Sequence, residues 1–183
     1  MDSLADVDLN QYFIYSLNGD RSITVLNPLV SFSRTKLFTI MTLDADPGDW
    51  VQMPLRSEIY VSLPALGTVV RIDTRIHKVI GQIAVGGRPT RLYADQLGGR
   101  LWVADEASGA ALEVDPATGK TLRRVALGGT GLVFSGGVGS ERLVITSSQG
   151  LAVLGGPARV VSNQVRLSRA PQSSAVSNLA GAA

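Results

Sequence analysis

The stretch "RIDTRIHKVIGQIAVGGRPTRLYADQLGGRLWVAD", residues 71–105, is echoed by "EVDPATGKTLRRVALGGTGLVFSGGVGSERLVITS", residues 113–147. Lys36, Lys78 and Lys120 fix the step, each standing 42 residues after the one before. Apolar pairs keep the same interval: Met41 and Leu43, Ile83 and Val85, Val125 and Leu127, followed after a turn by Trp50, Leu92 and Phe134. A further copy survives in "VSNQVRLSRAP", residues 161–171, where Gln164 answers Gln82 and Pro171 answers Pro89, two residues short of a double step. Working backwards, "YFIYSLNGDRSITVLNP", residues 12–28, matches "EIYVSLPALGTVVRIDT", residues 58–74, at an offset of about 46. A self-similar period of this size marks an array of supersecondary units, each too small to bury its own apolar face.

Within one copy the pattern is that of four short strands. Residues 90–131 read "TRLYAD", turn, "RLWVAD", turn, "AALEVD", turn, "KTLRRVAL", and each segment has the usual strand length. In "DPATGK", Pro116 presets its own φ, Asp115 can accept bonds from nearby amides and Gly119 can adopt positive φ, which together make a tight hairpin. The second strand, "LWVA", "IYVS" or "LVIT", is apolar at consecutive positions and so needs both sheet faces covered. The fourth, "KTLRRVAL", is more polar and suits an outer edge. The expected fold is therefore all-β: a β-propeller of four-stranded antiparallel blades, with four blades at approximately 4–47, 48–89, 90–131 and 132–171 and a flexible tail at 172–183. The innermost strand of the first blade is expected in "LADVD", residues 4–8.

Composition agrees with many short strands and bounds the function. The 183 residues are 45% hydrophobic and 17% charged, with 20 glycines for turns, enough for a real core. A net charge of +2, without clustered Lys and Arg interleaved with aromatics, argues against a nucleic-acid surface. There is no cysteine, which excludes disulfides, thiolate chemistry and covalent haem attachment. The opening "MDSLADVDLN" has no basic and apolar leader, and no apolar run reaches the ~18 residues of a bilayer span, so the chain reads as soluble.

The strings "EIYVSLPALGTVVRIDTRIHKVIGQIAVGGRPTRL" and "RLWVADEASGAALEVDPATGKTLRRVALGG" resemble YVTN-type β-propeller repeats, with a "YVTN"-like strand, a "VxVID" strand and a "T..KV...I.VG..P" segment. The resemblance covers residues 12–171 and is strongest from 58 to 131. Relatives by this resemblance include surface-layer propellers, lactonase-like enzymes and haem d1 domains, so it implies the fold and leaves the activity open. It points outside the cytoplasm. Such propellers usually close with more blades than this chain supplies. An open half completed by another copy or protein, an unusual four-bladed ring and a piece of a longer polypeptide all fit. Residues 1–49 hold seven acids against Arg21, Arg34 and Lys36, whereas residues 142–183 hold Arg142, Arg159, Arg166 and Arg169 and no acid, a complementarity that suits head-to-tail pairing.

No catalytic set emerges. His77 is the only histidine, expected as a solvated turn residue, and without cysteine it cannot build a nitrogen or sulfur metal site. No cofactor is expected. The glycine pairs at 86–87 and 128–129 precede strands, not helices, and are turn glycines rather than a phosphate cradle; no nucleophile elbow or triad is present. The acids Asp44, Asp46 and Asp49 share one loop, yet lack the glycine and distal glutamate of an EF-hand. Trp102 is expected in the core between blades. The residues best placed to contact a ligand, at the loop end where propellers commonly bind, are Asp46, Asp49, Trp50, Arg88, Arg91, Asp105 and Glu106. The function these residues suit is a non-catalytic binding or scaffold module that works through protein partners or self-association. The alternative is a lactonase-like or haem d1-like propeller completed by oligomerisation or missing blades.

Overall fold

Alternating apolar and polar residues between glycine turns leave this chain one way to bury its side chains, by pairing neighbouring segments into sheets and stacking the sheets. A computed structural model describes residues 12–29, 35–96, 98–136, 141–156 and 158–168. Its strands form four antiparallel sheets in which hydrogen-bonded neighbours are always consecutive in sequence. The first contains β1 (Ile14–Leu17), β2 (Ser22–Leu26) and β3 (Leu37–Thr42). The second contains β4 (Trp50–Met53), β5 (Glu58–Leu63), β6 (Thr68–Asp73) and β7 (Lys78–Ala84). The third contains β8 (Pro89–Asp95), β9 (Arg100–Asp105), β10 (Ala110–Val114) and β11 (Thr121–Ala126), and the fourth β12 (Val133–Ser135), β13 (Arg142–Thr146), β14 (Gly150–Gly155) and β15 (Val160–Arg166). The first sheet thus has three strands among the described residues; residues 4–8, expected as its innermost strand, and the tail at 172–183 lie outside them. No helix among the described residues is long and apolar enough to cross a membrane.

Three cores separate successive sheets. Ile23, Val25 and Met41 of the first meet Ile59, Val61 and Val70 of the second. Tyr60, Val69 and Ile83 of the second meet Leu101, Val103 and Leu112 of the third. Trp102, Ala111 and Val125 of the third meet Leu143, Ile145 and Leu154 of the fourth. Adjacent residues of one strand therefore serve opposite cores, because side chains alternate across a sheet. This is why β5 is buried at every position, as its consecutive Ile59, Tyr60 and Val61 require. Trp102 is fully buried, with the Arg123 guanidinium 5.2 Å from its ring centroid.

The outermost strands are less polar than "KTLRRVAL" suggests. Each third-to-fourth strand pair carries one extra residue, and the four residues so displaced are Phe38, Ile80, Leu122 and Ser162. The first three are exposed, at 54%, 41% and 51%. A bulge leaves one residue without a place in the ladder and bends the strand, so the same repeat position is turned to the perimeter in every sheet. Bent edges also pair poorly with other chains, which offsets the exposed apolar surface.

Candidate functional site

Hairpin topology sends the second-to-third strand turns to the same end of the stack as the connections between sheets. Backbone bonds hold the two sets together: Val85 and Gly86 donate to Gly67 O (3.0 and 2.9 Å), Glu106 to Arg88 O (3.0 Å), and Leu127 to Gly109 O (3.0 Å). The candidate residues all lie on this loop end or at the adjoining ends of the innermost strands.

Their side chains divide by what they touch. Asp49 accepts from its neighbour Trp50 N at 2.9 Å and, across the inter-sheet gap, from Leu92 N at 2.9 Å. Asp105 is buried and accepts from Arg88 N at 2.8 Å, from Ala107 N at 3.1 Å and from the Ser108 hydroxyl. Burial pushes its carboxyl up, but these donors outweigh it and hold the group below the usual carboxylate range. Glu106 accepts from Gly131 N and Leu132 N at 3.0 and 2.9 Å, bridging the third sheet to the fourth. Asp46 pairs with Arg21 at 2.6 Å in solvent, where an ion pair contributes little.

Arg88 and Arg91 are exposed, and their guanidinium groups bond to nothing among the described residues. Arg88, Asp105 and Glu106 are brought together; Arg91 sits one residue from Leu92, whose amide Asp49 holds. Trp50 turns towards the first sheet instead. It is partly buried against the first core and lines a cleft of about 540 Å³ with Tyr12, Phe13, Tyr15 and Gln52. Asp44, the remaining acid of that loop, accepts from Gln82 at 2.8 Å, so Asp44, Asp46 and Asp49 are engaged separately. Among the described residues no group of three His, Cys, Asp or Glu converges on one point.

His77 differs from expectation: it is 8% exposed, not solvated. Its φ of 53° turns the ring back onto the preceding sheet, where Nδ1 lies 2.5 Å from the Tyr15 hydroxyl. The rings of Phe13 and Phe38 stand 4.2 and 4.8 Å from the imidazole by centroid. Burial lowers its pKa, opposed by the Asp73 carboxylate. Burial likewise pushes the Tyr15 phenol up to about 12, with Asp73 adding to it.

The same turn position recurs as Gly119 (φ 71°) and Arg159 (φ 50°). Arg159 also reaches back one sheet, to a buried Asp95. A second buried cluster centres on Glu58, which accepts from Tyr60, from Arg56 at 3.1 Å and from Arg71 at 2.9 Å. Burial opposes ionisation of Glu58, yet these donors hold its carboxyl below the usual value. Neither cluster was anticipated. The signal for Arg159 lay in its alignment with His77 and Gly119, at a position that glycine fills most easily.

Successive antiparallel sheets of three or four described strands, stacked through their faces, define a β-propeller fold. Solved structures similar to it include the following two. Hydrazine synthase of Kuenenia stuttgartiensis matches with a TM-score of 0.56 and 19% identity over 68% of this chain and 36% of its own. Apo AztD of Citrobacter koseri matches with a TM-score of 0.53 and 19% identity over 64% of this chain and 32% of its own. The chain thus spans about a third of the length of either. Its sequence matches no protein-family model, and no curated protein matches it.

Proposed function

We propose that the chain is a non-catalytic binding and scaffold module of the YVTN type, whose sheet series is completed by association with a partner or a second copy. One observation carries this reading. Every inter-sheet gap within the chain is filled by an apolar core, yet the outward faces of the first and fourth sheets have no neighbour among the described residues. The loop end supports a binding role over a catalytic one. Asp49, Asp105 and Glu106 each accept from backbone amides that tie loops and sheets together, and a general acid or base needs reach to a substrate. Arg88 and Arg91 remain as contact groups for an anionic or carbonyl-rich surface. Sedimentation equilibrium over a micromolar series tests the reading: a mass above the monomer, or a stoichiometric partner retained through purification, is expected. A strict monomer that hydrolyses a lactone or binds a porphyrin would replace it with the enzymatic alternative.

A further inference from the structure

A cleft of about 540 Å³ opens between the first two sheets. Trp50 and Gln52 of β4 and Ile59 of β5 line one side, and Phe13 and Tyr15 line the other. The series of innermost strands gives this place its meaning: β12 packs against β8, and β8 against β4 and β5. The next member of that series would lie on the other face of β4, in the cleft, and would belong to the first sheet.

The first sheet has an edge that fits such a strand. Asn18 N donates to Ser22 O at 2.9 Å, so the alternation of an antiparallel ladder turns the backbone groups of Ser16 to β2 and those of Tyr15 and Leu17 to the other edge of β1, where no described strand pairs. Leu17 pairs with Ile23, and Ile23 with Met41; in the second sheet Ser62 pairs with Val69, and Val69 with Ile83, 42 residues after Met41. Ser62 is therefore the counterpart of Leu17. Its backbone is held by the segment that enters β4: its amide donates to Asp49 O at 2.9 Å and its carbonyl accepts from Gly48 N at 3.0 Å.

We infer that residues 5–9, Ala-Asp-Val-Asp-Leu, are this strand, seated in the cleft of their own chain and antiparallel to β1, with Val7 opposite Tyr15 and Leu9 opposite Phe13. Strict alternation puts Ala5, Val7 and Leu9 on one face and Asp6 and Asp8 on the other. Opposite residues share a face, so Val7 and Leu9 enter the first core beside Phe13 and Tyr15, which pack against it. Their counterparts Val51 and Met53 enter the next core in the same way. Asp6 and Asp8 take the places of Trp50 and Gln52, on the face turned away from the second sheet. Trp50 has a sheet to pack on there; the first sheet has no described neighbour on that side, and carboxylates belong in water. Residues 10–12 then form a three-residue hairpin connection, one of the common lengths. This strand fills its seat whether or not the chain associates.

The chain has no cysteine, so one pair of introduced thiols reports one contact. In this register Asp6 stands opposite Ser16, which is exposed, at a spacing that a disulfide spans. Asp6→Cys with Ser16→Cys is expected to close within one chain under mild oxidation, read as a faster-migrating monomer on a non-reducing gel. Val7→Cys with Ser16→Cys, on opposite faces, is expected to stay reduced. In the unmodified chain the Tyr15 and Leu17 amides are expected to exchange with deuterium at least about tenfold more slowly than in Val7→Asp, with the amides of β9 and β10 unchanged. If Val7→Asp fails to fold, Leu9→Ser is expected to shift the same two amides in the same direction. A disulfide that joins two chains overturns the inference, placing the strand in a second copy and leaving the assembly reading standing. Equal cross-linking by the two cysteine pairs, or none by either, overturns it as well. So do Tyr15 and Leu17 amides that exchange as fast as in a free peptide.

Discussion

Arg159 of the fourth sheet donates from Nε and Nη2 to the two carboxylate oxygens of Asp95 in the third, at 2.7 and 2.8 Å, with both side chains 1% exposed. This forked pair fixes the angle between two sheets at the end opposite the candidate site. Its geometry suits a planar guanidinium and not an ammonium.

Removing one member leaves the other charge buried without its partner. Asp95→Asn or Arg159→Met is therefore expected to cost about 3–5 kcal/mol in chemical denaturation. The double variant Asp95→Leu with Arg159→Met should recover most of that loss, because two apolar groups leave no charge to solvate. A double variant as unstable as either single one would show that the pair acts through packing alone.

His77 ties stability to pH. Its pKa lies below the ordinary 6.5 because burial disfavours the imidazolium. The unfolded chain therefore takes up a proton at a higher pH than the folded one, and protons favour unfolding. Stability is fully present above about pH 6.5 and falls as pH drops from there to the folded value. Asp73, held at about 2 mainly by the Arg75 side chain and amide, stays ionised across this window and does not contribute to the slope. The thermal midpoint should fall between about pH 7 and about pH 5, and His77→Asn, whose side chain tolerates positive φ, should flatten the profile.

Two glycines with similar backbone angles should respond unequally. Gly86 (φ 72°) has open space where a Cβ would go, whereas at Gly109 (φ 59°) a Cβ would stand 2.8 Å from Gly129 O and 2.9 Å from Gly128 C. Gly86→Ala bears only the left-handed backbone cost of about 1–2 kcal/mol. Gly109→Ala adds a clash with the backbone of the connection between sheets and should cost about 3 kcal/mol or more. Urea denaturation of the two variants checks the ordering.

The candidate residues should separate by measurement. Arg88→Ala and Arg91→Ala are expected to change stability by less than about 0.5 kcal/mol, since neither guanidinium bonds within the described chain. Asp105→Asn weakens acceptors that hold buried amides and should cost about 1–3 kcal/mol, with Glu106→Gln in the same direction. Equal effects from all four would erase the division between contact and structural residues.

Much of the fold was legible because its repeat is written in residue types that report position directly. Lys36, Lys78 and Lys120 mark the start of the first three outer strands, and consecutive apolar residues in β5 and β9 announce a sheet covered on both faces. The bulge at Phe38, Ile80 and Leu122 kept the same step, yet an extra residue cannot be told from strict alternation without a partner strand to count against. His77 read as solvated because a polar residue in a turn usually is; only its positive φ aims it inward. Asp95 and Arg159 meet across 64 residues of sequence, and nothing local to either announces the other. At the loop end, residue type located Asp105 and Glu106, but amide donors in the connections between sheets, distant in sequence, decide what those carboxylates do.

Since every described strand pairs only with its neighbours in sequence, the nascent chain can close each wedge soon after its last strand leaves the ribosome, without waiting for distant segments. A chain ending just past Ala126 would lack Leu143, Ile145 and Leu154, the fourth-sheet side chains that share a core with Trp102. The order of synthesis is then also the order in which the molecule becomes safe from aggregation.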